Sequence, residues 1–296
     1  MRIGLFSIAG MARLDDLVAQ ARLARDTGLD SVFFGHTASW DALMTAALAG
    51  REVPGIEVGT AIVPTFPRHP LALASQALTA QAMTGGRFTL GVGPSHPQVI
   101  EDAHGISYER PARHVREYLS ALRPLLRGED VDYHGETLTA VGTMDAPGAT
   151  APPVLVSALG PAMLRVSGEL ADGTVTTWTG AEAIADHIVP TITKAAEAAG
   201  RPAPRVLAGA VVALTTDPDG VRRTLADQFG PASAFPAYRA ILDRQGLSGV
   251  HETVIAGDEN TITRELRRFA DAGATDLLIS PHNNTPRVLE LATSLR

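Results

Sequence analysis

Short apolar runs alternate along the chain with longer amphipathic segments. The apolar runs predict eight β-strands, at residues 2–8, 31–35, 56–63, 88–93, 153–157, 173–178, 206–214 and 276–280. The segments between them carry apolar residues at helical spacing and predict helices at 14–26, 40–49, 71–83, within 108–126, from 162, at 182–198 and at 260–272. The pattern therefore predicts a regular succession of strand and helix.

The predicted strands are mostly continuous apolar runs with little polar alternation, which is typical of a parallel sheet covered by helices. Eight such units favour a closed (β/α)₈ TIM barrel of the α/β class, formed by a single domain over residues 1–296. The alternative, an open doubly wound sheet, leads us to expect a Gly-x-Gly-x-x-Gly turn after the first strand. That strand instead ends in Ser7-Ile8-Ala9-Gly10, so the barrel is favoured.

The spacing of the strands predicts insertions after strands 4 and 7. Residues 131–139 alternate and turn at Gly135, which predicts a small hairpin outside the main repeat. Residues 217–257 predict a longer, mainly helical segment. Insertions that follow barrel strands lie over the carboxyl ends of the strands, where barrel enzymes have their active sites.

Charge and composition exclude several classes of function. The 296-residue chain has a net charge of -7, with 25 basic and 32 acidic residues and no basic run, so we expect neither a nucleic acid nor an anionic membrane as partner. No stretch is long and apolar enough to span a membrane, and we expect a cytoplasmic protein. The absence of cysteine excludes disulfides, thiolate catalysis and zinc-thiolate sites.

Histidines gather where predicted strands end. Four of the nine follow strands, namely His36, His69, His96 and His282, and the barrel directs such residues to one mouth. Any one of them could equally be an ordinary hydrogen-bonded loop residue. A metal centre is not predicted, because the first strand has no histidine and no His-Glu-x-x-His occurs. A Gly-x-Ser-x-Gly nucleophile turn is likewise missing from the sequence.

Glycines mark two further positions at strand ends. The turn from Ser157 to Met163 places Gly160 directly before a predicted helix, whose free amides and positive end could bind a phosphate. An ordinary connection from strand to helix explains the same residues. In the fourth strand, Gly91 and Gly93 leave the backbone bare where another group could approach.

Taken together, these motifs resemble the luciferase-like monooxygenase superfamily, and within it the oxidoreductases that use the deazaflavin coenzyme F420. The resemblance covers nearly the whole chain. It depends on the segments 33–40, 59–64 with 68–70, 85–93, 158–161 and 168–173. It implies a bent deazaflavin ring in the barrel mouth, beside a non-proline cis peptide that would join Ala61 to Ile62.

The same resemblance implies the residues of the cofactor site and of catalysis. The ring would lie near Ala61, Ile62 and Gly93, and the phosphate on the turn after the fifth strand. The implied cofactor-binding set is Ala61, Ile62, Gly93, Ser157, Leu159, Gly160 and Met163. The implied catalytic set is His36, His96 and Trp40. Either histidine could exchange a proton with the substrate, since imidazole titrates near neutral pH.

Two departures from the family pattern argue against a sugar phosphate as substrate. Gly35 replaces the acidic residue that often precedes the histidine, and His96 stands where the sugar-phosphate dehydrogenases carry a glutamate. We instead expect a small organic substrate. Trp178, Phe229, Phe235 and Tyr238 could form an apolar lid over it, although aromatic residues at helical spacing often belong to a core. The family also implies a homodimer.

Three other functions remain open from the sequence. An FMN-dependent monooxygenase would use the same fold, because FMN also offers a tricyclic face and a phosphate. A non-catalytic protein that binds flavin or F420 is the second. The third is an aldolase or isomerase barrel, which would need a lysine or a carboxylate base at a strand end. The single lysine, Lys194, falls instead in a predicted outer helix.

Overall fold

Eight parallel strands close into a barrel with helices around it, as the sequence predicts. The computed structural model describes residues 1–8, 12–37 and 39–295. The strands are β1 (Arg2–Ile8), β2 (Ser31–Gly35), β3 (Glu57–Thr60), β4 (Val63–Pro64), β5 (Phe88–Gly93), β6 (Val131–His134), β7 (Thr139–Gly142), β8 (Val154–Ser157), β9 (Gly173–Thr176), β10 (Arg205–Leu214), β11 (Ile255–Gly257) and β12 (Asp276–Pro281). The barrel runs β1, β2, β3 with β4, β5, β8, β9, β10 and β12, and β12 pairs with β1 to close it.

Helices follow the barrel strands and cover the outside of the barrel. They are α1 (Leu14–Asp26), α2 (Ala42–Glu52), α3 (Pro70–Met83), α4 (Pro111–Leu126), α5 (Pro161–Leu170), α6 (Ala181–Ala183), α7 (Val189–Ala198), α8 (Pro218–Phe229), α9 (Pro236–Arg244), α10 (Glu259–Asp271) and α11 (Thr285–Thr293). Segments of π-helix lie at Gln98–Ala103 and Ile184–Ile188, and short 3₁₀ turns at Gly230–Ala234 and Val250–Thr253. Among the described residues, no helix combines the length and apolar character needed to cross a membrane.

The structure refines three of the sequence predictions. The third predicted strand is divided into β3 and β4, and the peptide bond between Ala61 and Ile62 is cis, which confirms the prediction for that bond. The hairpin is present as the antiparallel pair β6 and β7. The segment after the seventh barrel strand is mainly helical but also contains β11, which pairs with β10. Three residues are too few to show the apolar pattern that identifies a strand.

Charged residues close the amino-terminal end of the barrel. Arg205 lies 2.6 Å from Asp276 and 3.0 Å from Glu57, and Arg2 also pairs with both carboxylates. Thr89 donates a hydrogen bond of 2.6 Å to Glu57. Above this layer is an apolar one formed by five buried side chains, which are Phe33, Leu155, Val175, Leu207 and Leu278. The open space of the barrel is therefore confined to its carboxyl end.

Candidate active site

A cavity of about 620 Å³ opens at the carboxyl end of the barrel. Its floor includes Phe6, Gly35, Val175, Gly209 and Leu278, which belong to barrel strands. The two insertions form much of its upper wall. The segment after β5 contributes Pro94, Ser95, His96, Tyr108, Pro111 and Ala112, and the segment after β10 contributes Ala237, Tyr238, Ala240, Ile241 and Arg244. The insertions therefore lie over the strand ends, as the sequence predicts.

His36 follows β2 and lines the cavity. Its Nδ1 accepts a hydrogen bond of 3.4 Å from the amide of Ala42, the first residue of α2. Burial lowers the pKa of His36, and Arg68 adds to the lowering, whereas Asp41 opposes it. Because Nδ1 accepts a hydrogen bond, the neutral imidazole carries its proton on Nε2.

His96 lies in the insertion after β5 and faces the insertion after β10. Its ring contacts Phe235 at 4.3 Å and Tyr238 at 4.7 Å between ring centroids. Burial lowers the pKa of His96 to about 4, so the imidazole is neutral at physiological pH. The preceding residue, Ser95, has a left-handed backbone with φ of 62°, and its carbonyl accepts a hydrogen bond from the Tyr108 hydroxyl. His96 thus connects the loop after β5 to the aromatic side chains of the insertion after β10.

Trp40 does not line the cavity. The residue is 46% exposed, and its indole Nε1 donates a hydrogen bond of 3.0 Å to the carbonyl of Ala12. His69 caps α3 and contacts the Thr139 carbonyl through Nε2, and His282 is exposed. Of the residues expected to act in catalysis, the structure therefore brings together His36 and His96 at the cavity and leaves Trp40 outside it.

The bulge between β3 and β4 presents Ala61 and Ile62 to the cavity. The amide of Ala61 donates a hydrogen bond of 2.9 Å to the carbonyl of Phe34. Gly93 lies behind this wall: a Cβ there would stand 2.1 Å from Ser157 Oγ and 3.3 Å from Ile62 Cδ1. A side chain at position 93 would displace two residues that line the cavity, so glycine preserves the shape of the wall.

The turn before α5 forms the neighbouring part of the wall. Ser157, Leu159, Gly160 and Met163 all line the cavity. The first intrahelical hydrogen bond of α5 runs from the Leu164 amide to the Gly160 carbonyl, so the amides before Leu164 have no partner within the helix. Pro161 occupies the first turn and has no amide proton to satisfy. This end of α5 offers hydrogen-bond donors to an acceptor in the cavity.

Several wall residues are absent from the sequence-based site. His187, in the π-helical segment before α7, lies 2.8 Å from the Leu159 carbonyl through Nε2 and holds the turn before α5. Tyr108 and Arg244 also line the cavity. No motif marks these residues, because each reaches the cavity from a helix or loop outside the strand ends. Over the described residues, no cluster of three or more histidine, aspartate or glutamate side chains could hold a metal ion.

Two relatives that carry enzyme names align with most of the chain. The 5,10-methylenetetrahydromethanopterin reductase of Methanolobus tindarius is 29% identical over 239 residues, which cover 80% of this chain and 73% of the relative. The F420-dependent glucose-6-phosphate dehydrogenase of Rhodococcus erythropolis is 27% identical over an alignment covering 93% of this chain and 90% of the relative.

Solved structures share the fold at lower identity. The coenzyme F420-dependent tetrahydromethanopterin reductase of Methanopyrus kandleri superposes with a TM-score of 0.83 at 21% identity, over 98% of this chain and 96% of that protein. The oxygenating constituent of the Pseudomonas putida 3,6-diketocamphane monooxygenase, in complex with FMN, superposes with a TM-score of 0.75 at 20% identity, over 98% and 96% of the two chains.

The family assignment follows from the match over the length of the chain. The profile of the luciferase-like monooxygenases covers residues 1–276, which include all the barrel strands except β12, of which only the first residue, Asp276, is covered. The resemblance read from the sequence motifs is thereby confirmed, and the chain belongs to the luciferase-like monooxygenase family.

Proposed function

We propose that this protein is an oxidoreductase that binds F420 and catalyses hydride transfer between C5 of the deazaflavin and a small organic substrate. The proposal depends on one cavity that combines two features. One is the bulge at Ala61 and Ile62, with Gly93 behind it, and the other is the amino terminus of α5, whose first amides have no partner within the helix. Relatives named as F420-dependent enzymes support the choice of cofactor.

The residues present fit a flat ring that carries a phosphate. Gly93 stands where a Cβ would push Ser157 and Ile62 toward the ring position. At Gly160 the space around the missing side chain is open, so a phosphate could approach the amides before Leu164. We infer that Ala61, Ile62 and Gly93 shape the ring site, and that Ser157, Leu159, Gly160 and Met163 surround the phosphate.

Bound F420 would supply the two-electron chemistry at C5, and the protein would orient the substrate and polarise it. His36 is suited to the second task. With its Nδ1 occupied by the Ala42 amide, neutral His36 directs its proton on Nε2 to another acceptor. An N–H donor at a carbonyl oxygen stabilises the negative charge that develops there during hydride addition.

The tautomer of His36 favours reduction of the substrate. To act as a base toward an alcohol, Nε2 would have to be unprotonated, and the proton would have to move to Nδ1. That move would break the hydrogen bond from Ala42 at the amino terminus of α2. A neutral imidazole at a helix amino terminus is well suited to donate a hydrogen bond to a carbonyl.

The upper cavity favours an apolar substrate. Tyr108, Trp178, Tyr238 and Ile241 provide hydrophobic surface around it. His96 lines this wall and contacts the rings of Phe235 and Tyr238; because it is neutral, it contributes a polar atom without a charge. We therefore propose a hydrophobic or conjugated carbonyl or alkene as substrate.

FMN-dependent oxygenation is the second candidate, and the fold it shares with an FMN-bound monooxygenase favours it. Titration of the protein with F420 and with FMN, followed by fluorescence, separates the two. Tight binding of FMN without affinity for F420 would reverse our choice. We also expect a homodimer, which light scattering on the purified protein tests.

Turnover is tested by incubating the protein with reduced F420 and a panel of ketones, aldehydes and conjugated alkenes. We expect one class to oxidise the cofactor, with His36→Ala slower than wild type. Binding of F420 without hydride exchange, unaffected by His36→Ala and His96→Ala, would indicate a non-catalytic binding protein.

A further inference from the structure

Arg244 gives the cavity a charge that opposes that of the whole molecule. The chain carries a net charge of -7, yet no aspartate or glutamate occurs among the described residues that line the cavity. Arg244 is the one arginine or lysine on this wall within the described chain. Since a guanidinium stays protonated at neutral pH, the wall carries a fixed positive charge.

The Arg244 guanidinium also has no acidic partner. Within residues 1–8, 12–37 and 39–295, no ion pair and no side-chain hydrogen bond involves it. By contrast, Arg239 on the same helix binds Asp243 and two backbone carbonyls. A cation without an acidic partner at a cavity wall is available to an anion.

The neighbouring residue Gln245 holds the end of α9, which carries Arg244, in place. The side chain of Gln245 accepts a hydrogen bond of 2.6 Å from the Gly180 amide and donates one of 3.2 Å to the Trp178 carbonyl. These contacts attach the end of α9 to the loop after β9. The strand β9 pairs with β8, β8 leads to the amides of α5, and Arg244 lines the same cavity as the first residues of α5.

We propose that Arg244 binds an anionic group, a carboxylate or a phosphate, on a ligand whose remainder lies against the apolar wall. This inference rests on the proposed function for the identity of the cofactor. The anion has two possible sources, the acidic tail of F420 or an acidic group on the substrate. In either case Arg244 selects among ligands by charge, a task that the neutral His36 and His96 cannot perform.

The test compares Arg244→Gln with Arg244→Lys and with Arg223→Gln. Arg223 is exposed on α8 outside the cavity wall, so its glutamine variant changes the net charge equally. Dissociation constants are measured for two pairs of ligands that share a ring and differ in charge. One pair is F420 and its deazaflavin nucleoside without phosphate and tail, and the other is FMN and riboflavin. Thermal unfolding of every variant checks the fold.

Because an ion pair between Arg244 and the anionic group of the ligand would be partly solvated, we expect Arg244→Gln to weaken binding of the charged ligand about fivefold. The uncharged ligand of the same pair should bind as it does to wild type, and Arg244→Lys should restore most of the difference. Raised salt should weaken binding of the charged ligand to wild type more than to Arg244→Gln. This result supports the proposal and identifies the cofactor as the source of the anion.

The second arm measures KM for a ketone and for the 2-oxo acid of the same carbon skeleton. A rise of KM for the acid alone in Arg244→Gln, with cofactor affinity unchanged, supports the proposal and identifies the substrate as the source. If Arg244→Gln matches Arg223→Gln for every ligand, the proposal is overturned. If wild type binds no F420, the proposed function fails, while FMN and riboflavin still test Arg244.

Discussion

Arg205→Met should cost this protein more stability than any exchange of a surface arginine. Arg205 is held between Asp276 and Glu57 at the amino-terminal end of the barrel. The Asp276 side chain is only 1% exposed. Methionine has a similar length but no charge. Among the described residues, it leaves this buried carboxylate with the more distant Arg2, at 3.4 Å, and the hydroxyl of Thr275 as its side-chain partners.

The magnitude follows from the burial of the pair. Removal of one partner of a buried ion pair costs about 3–5 kcal/mol, because the remaining charge stays desolvated. At ~2–4 °C per kcal/mol for a chain of this order of size, the Tm should fall by roughly 6–20 °C. Urea unfolding followed by circular dichroism measures the free energy of unfolding directly, and an unchanged m-value would show that the folded state remains compact.

Arg222→Met is the matched control. Arg222 pairs with Asp219 at 3.2 Å on the surface, and the side chain of Asp219 is 81% exposed. The loss in the free energy of unfolding should be below about 1 kcal/mol there. If Arg205→Met cost no more than Arg222→Met, the ion pairs at the end of the barrel would contribute nothing beyond surface pairs, and the reasoning would be refuted.

The pH dependence of unfolding offers a further check on the same cluster. Burial on its own would raise the pKa of Glu57, but Arg205 and the hydrogen bond from Thr89 outweigh it, so the pKa lies below the 4.5 that is usual for glutamate. A lowered folded-state pKa stabilises the protein above the unfolded value and ceases to do so as the pH falls through the folded value. Arg205→Met should therefore show a weaker loss of stability on acidification below 4.5.

The remaining predictions concern the cavity and the side chains behind it. Gly93→Ala should weaken F420 binding in a fluorescence titration, because its Cβ would stand 2.1 Å from Ser157 Oγ; Gly160→Ala, whose Cβ meets nothing within 4 Å, should fold with a loss below about 1 kcal/mol. His36→Gln should keep more activity than His36→Ala in steady-state assays, since its amide also donates a hydrogen bond; equal rates would argue against a donor at this position. Burial lowers the pKa of His114 to about 4, so the free energy of unfolding of wild type should decrease as the pH falls below 6.5. In His114→Phe, urea unfolding at several pH values should show a smaller decrease over the same range.

The residue pattern along the chain is sufficient to predict the barrel, because each strand and each helix is identified by residues close together in sequence. An apolar run of five or six residues, such as Ser31–Gly35 or Phe88–Gly93, identifies a strand without knowledge of its neighbours. Parallel strands then bring their carboxyl ends to one mouth. That geometry predicts that His36, His96 and the turn at Gly160 lie at the same end of the barrel. The cis bond at Ala61 required the family resemblance as well.

Long-range packing decided the rest of the site. The sequence places Trp40 four residues after His36, but its indole turns to the Ala12 carbonyl, a contact that no local pattern encodes. His187 and Arg244 reach the cavity from helices distant in sequence, because the barrel curves those helices over the strand ends. Periodicity determines which face of a segment is buried, whereas the partner of each side chain depends on how separate segments pack. The sequence alone thus determined the fold and the location of the site, and the tertiary structure decided which side chains line it.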